Sequence, residues 1–490
     1  MTAVARLRAL ASESVVYGLS GIISRFLTIF LVPIYTRLFT PEDYGVLSLV
    51  GSSLAVVSIF VVLGLDNAAH RWFWDTEDEA DRRRTIASWA WCQLAVATVV
   101  GAGVFVAAEA LGRSIVGRAD AALYFRLVGA SLPLTVLGTV ASNWLRMQRR
   151  PWATTGFALG TSVLTIVVTL ALVVWARWGL TGVYTAQLVA YAAASVAAAF
   201  LLRSWLDPRR IDLARLRGML RFALPLIPAG IAYWVVGFAD RFFVQVYSTT
   251  AEVGLYSIGS ALASGVALVT GAFQQAWGPF AFSIHKADDA RATYANVFLA
   301  YLWGASLLSV GLSLFAPEII HLLATDRYAR ASTVVGVLAM SYVMIGLTYI
   351  AATGPSIVKR TGPTGIALTA AAVLNLAFNF LLVPRFGMLG SAVATLIAQT
   401  VTPAYLFYRS QALYPIPYRF GAGVGIVAAA LTTIAIGAQL DLASPWAGAA
   451  VKLALLALFV PLPFVLGVVT PAQARGVVSR LRARGVRAAA

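Results

Sequence analysis

The sequence predicts an all-α polytopic membrane protein of about 14 transmembrane helices, built as two six-helix lobes in a parallel pseudo-twofold repeat plus two C-terminal helices. Three observations carry that expectation: the composition, the recurrence of long apolar runs, and a resemblance of the chain to itself. Of the 490 residues, 60% are apolar and only 12% charged, whereas soluble domains carry about 25% charged residues. Mean hydropathy is +0.81. Such a chain is not a soluble enzyme, a disordered segment or a disulfide scaffold. In lipid only helices and closed barrels satisfy their backbone. Barrel strands would alternate over about ten residues, and the apolar runs here are longer and unbroken.

Each crossing needs about 20 residues. Fourteen spans are expected, centred near Phe26, Val56, Val96, Leu134, Leu164, Val189, Ala232, Leu268, Leu307, Val343, Leu374, Ala398, Ala428 and Leu458. The seventh and eighth are long and expected to bend. Met1 to Leu10 is basic and no small-residue cleavage site follows, so the first apolar run is expected to be retained as a span. Most of the 37 Lys and Arg fall on one side of this topology, in clusters such as Arg82–Arg84, Arg146–Arg150 and Arg203–Arg221. Arg37, Arg113, Arg118, Arg177, Arg241, Arg327, Arg330 and Arg385 fall on the other. Short basic loops stay in the cytoplasm, which places both termini there. The net charge of +17 is thus a topology signal, and no nucleic-acid partner is expected.

The repeat appears at an offset of about 209 residues. Phe39-Thr-Pro-Glu-Asp-Tyr-Gly-Val-Leu-Ser48 aligns with Ser248-Thr-Thr-Ala-Glu-Val-Gly-Leu-Tyr-Ser257, and Trp178-Gly-Leu-Thr-Gly-Val with Phe386-Gly-Met-Leu-Gly-Ser. Six spans separate the members of each pair, so the repeat is parallel, an arrangement in which lobes rock about a midplane site. The expected organisation is an N-terminal lobe over 1–203, a cytoplasmic linker over 204–219, a C-terminal lobe over 220–411, and two further helices with a basic tail over 412–490. No loop is long enough to hold a domain.

An ionisable residue at the bilayer centre costs about 2.5–3.5 kcal/mol on insertion scales. Arg25, midway along the first span, is the deepest cation and is expected to face a wet cavity or an anion, or to pair between helices. Arg126 and Lys452 are nearer the interfaces, where long stems snorkel. Asp240 and Arg241, toward the outer end of the seventh span, point about 100° apart and need separate partners. Asp240 is a candidate for proton or sodium coupling; the alternative is a carboxylate holding Arg25 or Arg37. Pro33, Pro133, Pro225, Pro228, Pro279 and Pro403 are expected to interrupt their spans. Gln274 and Gln275, and Asn375 and Asn379 on one helical face, are candidate polar lining, with interhelical hydrogen bonding the alternative for the asparagines.

Chemistry-bearing patterns are few. His70, His285 and His321 lack ligand spacing, Cys92 is a single cysteine, and no phosphate-binding glycine loop is followed by Lys. No metal, cofactor or catalytic residue is expected.

Several motifs resemble bacterial polysaccharide (oligosaccharide-lipid) flippases, of the multidrug/oligosaccharidyl-lipid/polysaccharide exporter superfamily. Ser20-Gly-Ile-Ile-Ser-Arg-Phe26 with Pro33-Ile-Tyr-Thr-Arg-Leu-Phe-Thr-Pro-Glu-Asp-Tyr-Gly45 is similar to the first-span signature. Gly64-Leu-Asp-Asn-Ala-Ala-His-Arg71 is similar to the end of span two. Phe222-Ala-Leu-Pro-Leu-Ile-Pro228 with Asp240-Arg-Phe-Phe243 resembles span seven. Asn375-Leu-Ala-Phe-Asn379 with Pro384-Arg-Phe-Gly-Met-Leu-Gly-Ser-Ala-Val-Ala-Thr395 resembles the hairpin of spans eleven and twelve.

The resemblance covers roughly Glu13 to Gln411. It implies alternating-access translocation of a polyprenyl-diphosphate-linked oligosaccharide across the cytoplasmic membrane, feeding O-antigen, capsule or exopolysaccharide assembly. Membrane lipid and polysaccharide polymerase or assembly proteins are then the implied partners. Arg25, Arg37 and Arg241 would meet the diphosphate, the amides the sugars, and the two extra helices would lie near the groove for the lipid tail. Competing readings are a lipid II flippase, a membrane polysaccharide polymerase or ligase, disfavoured by short outer loops, and a multidrug antiporter, disfavoured by scarce acids.

Overall fold

A computed structural model describes residues 31–360, 362–440 and 445–462. Apart from residues 31–38, which are helical, the expected first span lies outside the described residues, and Arg25 with it. We number the main helices α1 (Pro41–Val62), α2 (Leu65–Phe73), α3 (Glu79–Val106), α4 (Ala121–Met147), α5 (Pro151–Thr169), α6 (Gly179–Leu201), α7 (Leu213–Ala223), α8 (Ile227–Phe238), α9 (Asp240–Tyr247), α10 (Thr250–Ala263), α11 (Gly265–Ile284), α12 (Ala290–Leu314), α13 (Ser332–Ala351), α14 (Gly362–Leu413), α15 (Phe420–Ala438) and α16 (Pro445–Phe459). No strand occurs among the described residues.

Ten of the described helices are long and apolar enough to cross a membrane, or up to eleven if the bent pair α10–α11 is one span. At 1.5 Å per residue, the 52 residues of α14 would reach about 78 Å, more than twice the hydrocarbon thickness. The helix is in fact broken at Gly387, whose φ of 52° and ψ of −135° suit a residue without Cβ. α14 is therefore two crossings joined by a tight reversal. The chain is a multi-pass helical membrane protein.

By its internal contacts the chain divides into two compact units, Met1–Leu255 with Leu323–Arg327, and Tyr256–Leu322 with Tyr328–Ala490. The first is centred on Phe73, Trp89, Trp144, Trp205 and Met219. Its segment 204–219 is strapped down: Arg215 pairs with Asp81 and donates to Thr85 Oγ1 at 2.6 Å, while the Asp212 N–H donates to Ser88 Oγ at 2.9 Å. The second holds an aromatic cluster of Phe298, Phe407, Tyr418 and Phe420 with ring centroids 4.9–6.0 Å apart.

The breaks fall only partly where proline predicted them. The seventh span is interrupted by a 3-10 turn at Leu224–Leu226, beside Pro225 and Pro228, and the eighth bends by 42° between α10 and α11, at Ser264. Pro133, Pro279 and Pro403 instead lie inside continuous helices. Near Pro133, Ser131 and Thr135 hydroxyls donate to the carbonyls of Val128 and Leu132. Neither bond goes to the Gly129 carbonyl, which Pro133 leaves without its N–H, and the helix nonetheless runs on without a break.

One crossing in the first unit carries the repeat directly. α1 starts on a capping box, Thr40 with Asp43, and has Pro41 in its first turn; the repeat-related α10 starts with Thr249 Oγ1 accepting from the Glu252 N–H. A Cβ on Gly45 would stand 1.9 Å from the carbonyl oxygen of Thr250, and one on Gly254 would stand 1.9 Å from that of Pro41. Positions 41 and 250, and 45 and 254, share the offset of 209. The contact is reciprocal, as between surfaces related by a twofold, and small residues are what let two backbones approach so closely.

Candidate functional site

The sequence-nominated residues are placed as follows. Arg25 lies outside the described residues, and Arg37 is exposed. Asp240 opens α9 and is only 3% exposed. Its neighbour Arg241 donates from Nε to Ser48 Oγ at 3.1 Å and from Nη1 to the Gly237 carbonyl at 2.9 Å, with its guanidinium 5.3 Å from the Phe238 ring centre. Arg241 thus joins the seventh span to α1, as does Trp234, whose Nε1 donates to the Ser52 carbonyl at 2.9 Å.

Gln274 and Gln275 are exposed on α11. Asn375 and Asn379 are fully buried within α14. Asn375 Nδ2 donates to Thr395 Oγ1 at 3.2 Å, Asn379 Nδ2 to the Asn375 carbonyl at 2.8 Å, and Ser391 Oγ to Asn379 Oδ1 at 2.7 Å. These amides therefore stitch the two arms of the reversal together. Away from the nominated residues, Lys452 of α16 pairs with Glu318 of the short helix Ala316–Leu323, and Arg126 pairs with Glu109 at 3.0 Å.

Two concave sites emerge that no single ionisable residue announces. In the first unit, a polar cavity of about 580 Å³ opens between α4, α5 and α6, floored by Asp66 of α2. Gln93 Nε2 bridges the Val62 carbonyl and Asp66 Oδ1, at 3.0 and 2.9 Å. Asn143 lies 3.5 Å from both Asp66 Oδ2 and His70 Nε2. A ladder of Thr and Ser hydroxyls lines the walls. In the second unit, an apolar groove of about 820 Å³ runs between α12, α13, α14 and α15, with Phe298, Met344, Phe407, Tyr408 and Val424 in its lining. Gly423 keeps α15 close: a Cβ there would lie 2.7 Å from the Phe298 ring.

The residues of the polar cavity carry only a faint signal in the sequence. Thr135, Thr139, Ser142 and Asn143 recur with helical period on one stretch of α4, and Thr161, Ser162 and Thr165 on α5. A search confined to charged residues passes over such neutral stripes.

The fold is shared with solved membrane transporters. The chain is structurally similar to the lipid II flippase MurJ in an inward closed conformation, with a TM-score of 0.71 at 13% identity, covering 91% of this chain and 98% of that one. It is also similar to an inward-facing multidrug resistance MATE family transporter of the MOP superfamily, with a TM-score of 0.62 at 16% identity, covering 82% and 96%. Residues 10–285 match the family model described as "Polysaccharide biosynthesis protein", and the chain belongs to that family. A curated relative, the succinoglycan biosynthesis transport protein ExoT of Rhizobium meliloti (strain 1021), is 25% identical over 320 residues. That match takes in 63% of this chain and spans 61% of the relative's length.

Proposed function

We propose that this membrane transporter is a flippase that carries a polyprenyl-diphosphate-linked oligosaccharide across the cytoplasmic membrane by alternating access, for surface polysaccharide assembly. The observation that carries the reading is the apolar groove lined by α15, in a member of the polysaccharide biosynthesis family. A polyprenyl chain needs an apolar path, and a groove of that volume with mostly aromatic and aliphatic walls accepts isoprene units; its polar Thr400 and Gln411 already donate to the Leu396 and Ile416 carbonyls. The sugars and diphosphate need the opposite, polar surface and cations. Arg25, Arg37 and Arg241 are the proposed diphosphate contacts, with Gln274 and Gln275 as polar lining; Asn375 and Asn379, buried and bonded across the α14 reversal, take the alternative role of interhelical hydrogen bonding. Asp240 is the proposed coupling residue.

The asymmetric distribution of Lys and Arg supports cytoplasmic termini, and fourteen spans in two six-helix lobes plus two remains the proposed topology. Translocation needs no covalent step, so the chain acts as a carrier rather than an enzyme, with polymerase and assembly proteins as downstream partners. ExoT, a transport protein in succinoglycan biosynthesis by its name, supports an exopolysaccharide precursor as cargo.

The test is rescue by expression in two strains, one lacking an exopolysaccharide flippase and one depleted of its lipid II flippase. Restored surface polysaccharide, abolished by Val424→Arg in the groove, is expected. Rescue of cell-wall synthesis alone would assign lipid II as cargo and overturn the polysaccharide reading.

A further inference from the structure

We infer that the polar cavity between α4, α5 and α6 is a saccharide-binding pocket, built to receive sugar hydroxyls. Its chemistry selects the ligand. Thr135 Oγ1 donates to the Leu132 carbonyl at 2.7 Å, Thr139 to Thr135 at 3.0 Å, Thr161 to Phe157 at 3.0 Å, Ser162 to Ala158 at 3.0 Å and Thr165 to Thr161 at 2.8 Å. Each of these hydroxyls has spent its proton on its own helix and turns oxygen lone pairs outward. Together with the Asp66 carboxylate they make a wall of acceptors. Arg146 adds a donor fork at the end of α4.

A phosphate or other anion would meet the acceptor wall and Asp66, and is disfavoured. An apolar ligand would cover Arg146 and the outward lone pairs of these hydroxyls and bond none of them, a costly outcome. A bare cation would use Asp66 but faces Arg146 and fills little of about 580 Å³. That volume lies within the range of about 300–1,000 Å³ typical of small-molecule sites. A sugar fits on each count: every hydroxyl both donates and accepts, and its C–H face can lie on Phe157 or Tyr191, which also line the cavity. Small residues keep the space open, since a Cβ on Gly138 would meet only Ala194 and Phe157, each at 3.9 Å.

This inference rests on the flippase reading for the origin of the sugar, the glycan of the lipid-linked cargo, but binding is tested without lipid. Purified full-length protein would be equilibrated with tritiated free hexoses, N-acetylhexosamines and β-linked disaccharides. Gly138→Leu fills the cavity from a loosely packed position, and Thr161→Val removes an acceptor at constant shape. Saturable binding of at least one sugar is expected, weakened about tenfold or more by Gly138→Leu and several-fold by Thr161→Val, with unchanged thermal unfolding. Equal binding by both variants, or no binding by any sugar, overturns the pocket, as does a cation dependence altered by the variants with no sugar effect. In vesicles, flipping undiminished by Gly138→Leu also overturns it and leaves the flippase reading intact. Sugar binding lost in the variants, in a protein that flips no lipid-linked glycan, upholds the pocket and fails the flippase reading.

Discussion

Replacing Gly45 by alanine puts a methyl group where α1 and α10 touch. The added carbon would lie 1.9 Å from the Thr250 carbonyl oxygen, against about 3.4 Å for an ordinary contact. The obstacle is backbone, so no rotamer relieves it, and the helices must part by about 1.5 Å at that point. Overpacking of this kind costs about 1–3 kcal/mol, which shifts a two-state equilibrium by about 5- to 150-fold. On the proposed alternating-access reading, the penalty falls on the conformation in which α1 and α10 are in contact. Gly254→Ala should act alike, because its methyl would meet Pro41 at the same distance. Gly51→Ala, on the same helix with nothing within 4 Å, is the neutral control.

Electron–electron distance measurements between spin labels at Glu42 and Thr249, in a Cys92→Ala background, read the crossing directly. Both Gly45→Ala and Gly254→Ala should lengthen the mean distance or populate a longer component, and Gly51→Ala should not. A distance distribution and thermal stability unchanged in Gly45→Ala would refute the reasoning.

Three further expectations follow from the packing. Glu318→Gln leaves the Lys452 ammonium, 8% exposed, without its counter-charge and should cost at least about 1 kcal/mol; Lys452→Met should cost less, since it buries no charge, and equal thermal shifts would contradict this. Asn379→Leu strands the hydroxyl of Ser391 and the amide of Asn375 in the α14 hairpin, for an expected loss of about 1–3 kcal/mol and faster proteolysis near Gly387; a neutral variant would contradict it. Outside the spans, the Arg118 hydrogen bond, at 2.6 Å, holds the Asp120 carboxyl below its ordinary value. Its stabilisation is therefore full above the unfolded value of about 3.9 and is lost as pH falls through the folded one. Both side chains are well exposed, so the effect should stay under about 1 kcal/mol. Unfolding temperatures of wild type and Asp120→Asn should converge in acid, and a gap that persists there would contradict the assignment.

The sequence was most informative where one physical demand dominates. Lipid solvation writes the spans as long apolar runs, and a tight reversal between two crossings writes itself as Gly387 in a stretch otherwise helical. The repeat, seen as a match of Phe39–Ser48 to Ser248–Ser257, returns as the Gly45–Gly254 crossing. Legibility failed where several groups share a task. Proline alone does not set a break: Pro133 lies inside α4 and the helix runs on. The strap of Arg215 on Asp81 joins residues 134 positions apart. The polar cavity is built from neutral hydroxyls on two helices, each ordinary by itself, and only their convergence over Asp66 makes a site. Arg25, the most conspicuous residue in the sequence, lies outside the described residues.

The most direct test of the account is leaflet exposure in sealed vesicles that hold this protein and a polyprenyl-diphosphate oligosaccharide. A glycan-modifying probe added to one side would report translocation over time, with Arg25→Ala and Val424→Arg run alongside. Accelerated exposure of the glycan by wild type, lost in both variants while the protein stays folded, is the predicted result. Exposure no faster than in protein-free vesicles, with a proton or a sodium gradient imposed, would contradict the proposal that this chain is a flippase for such lipids.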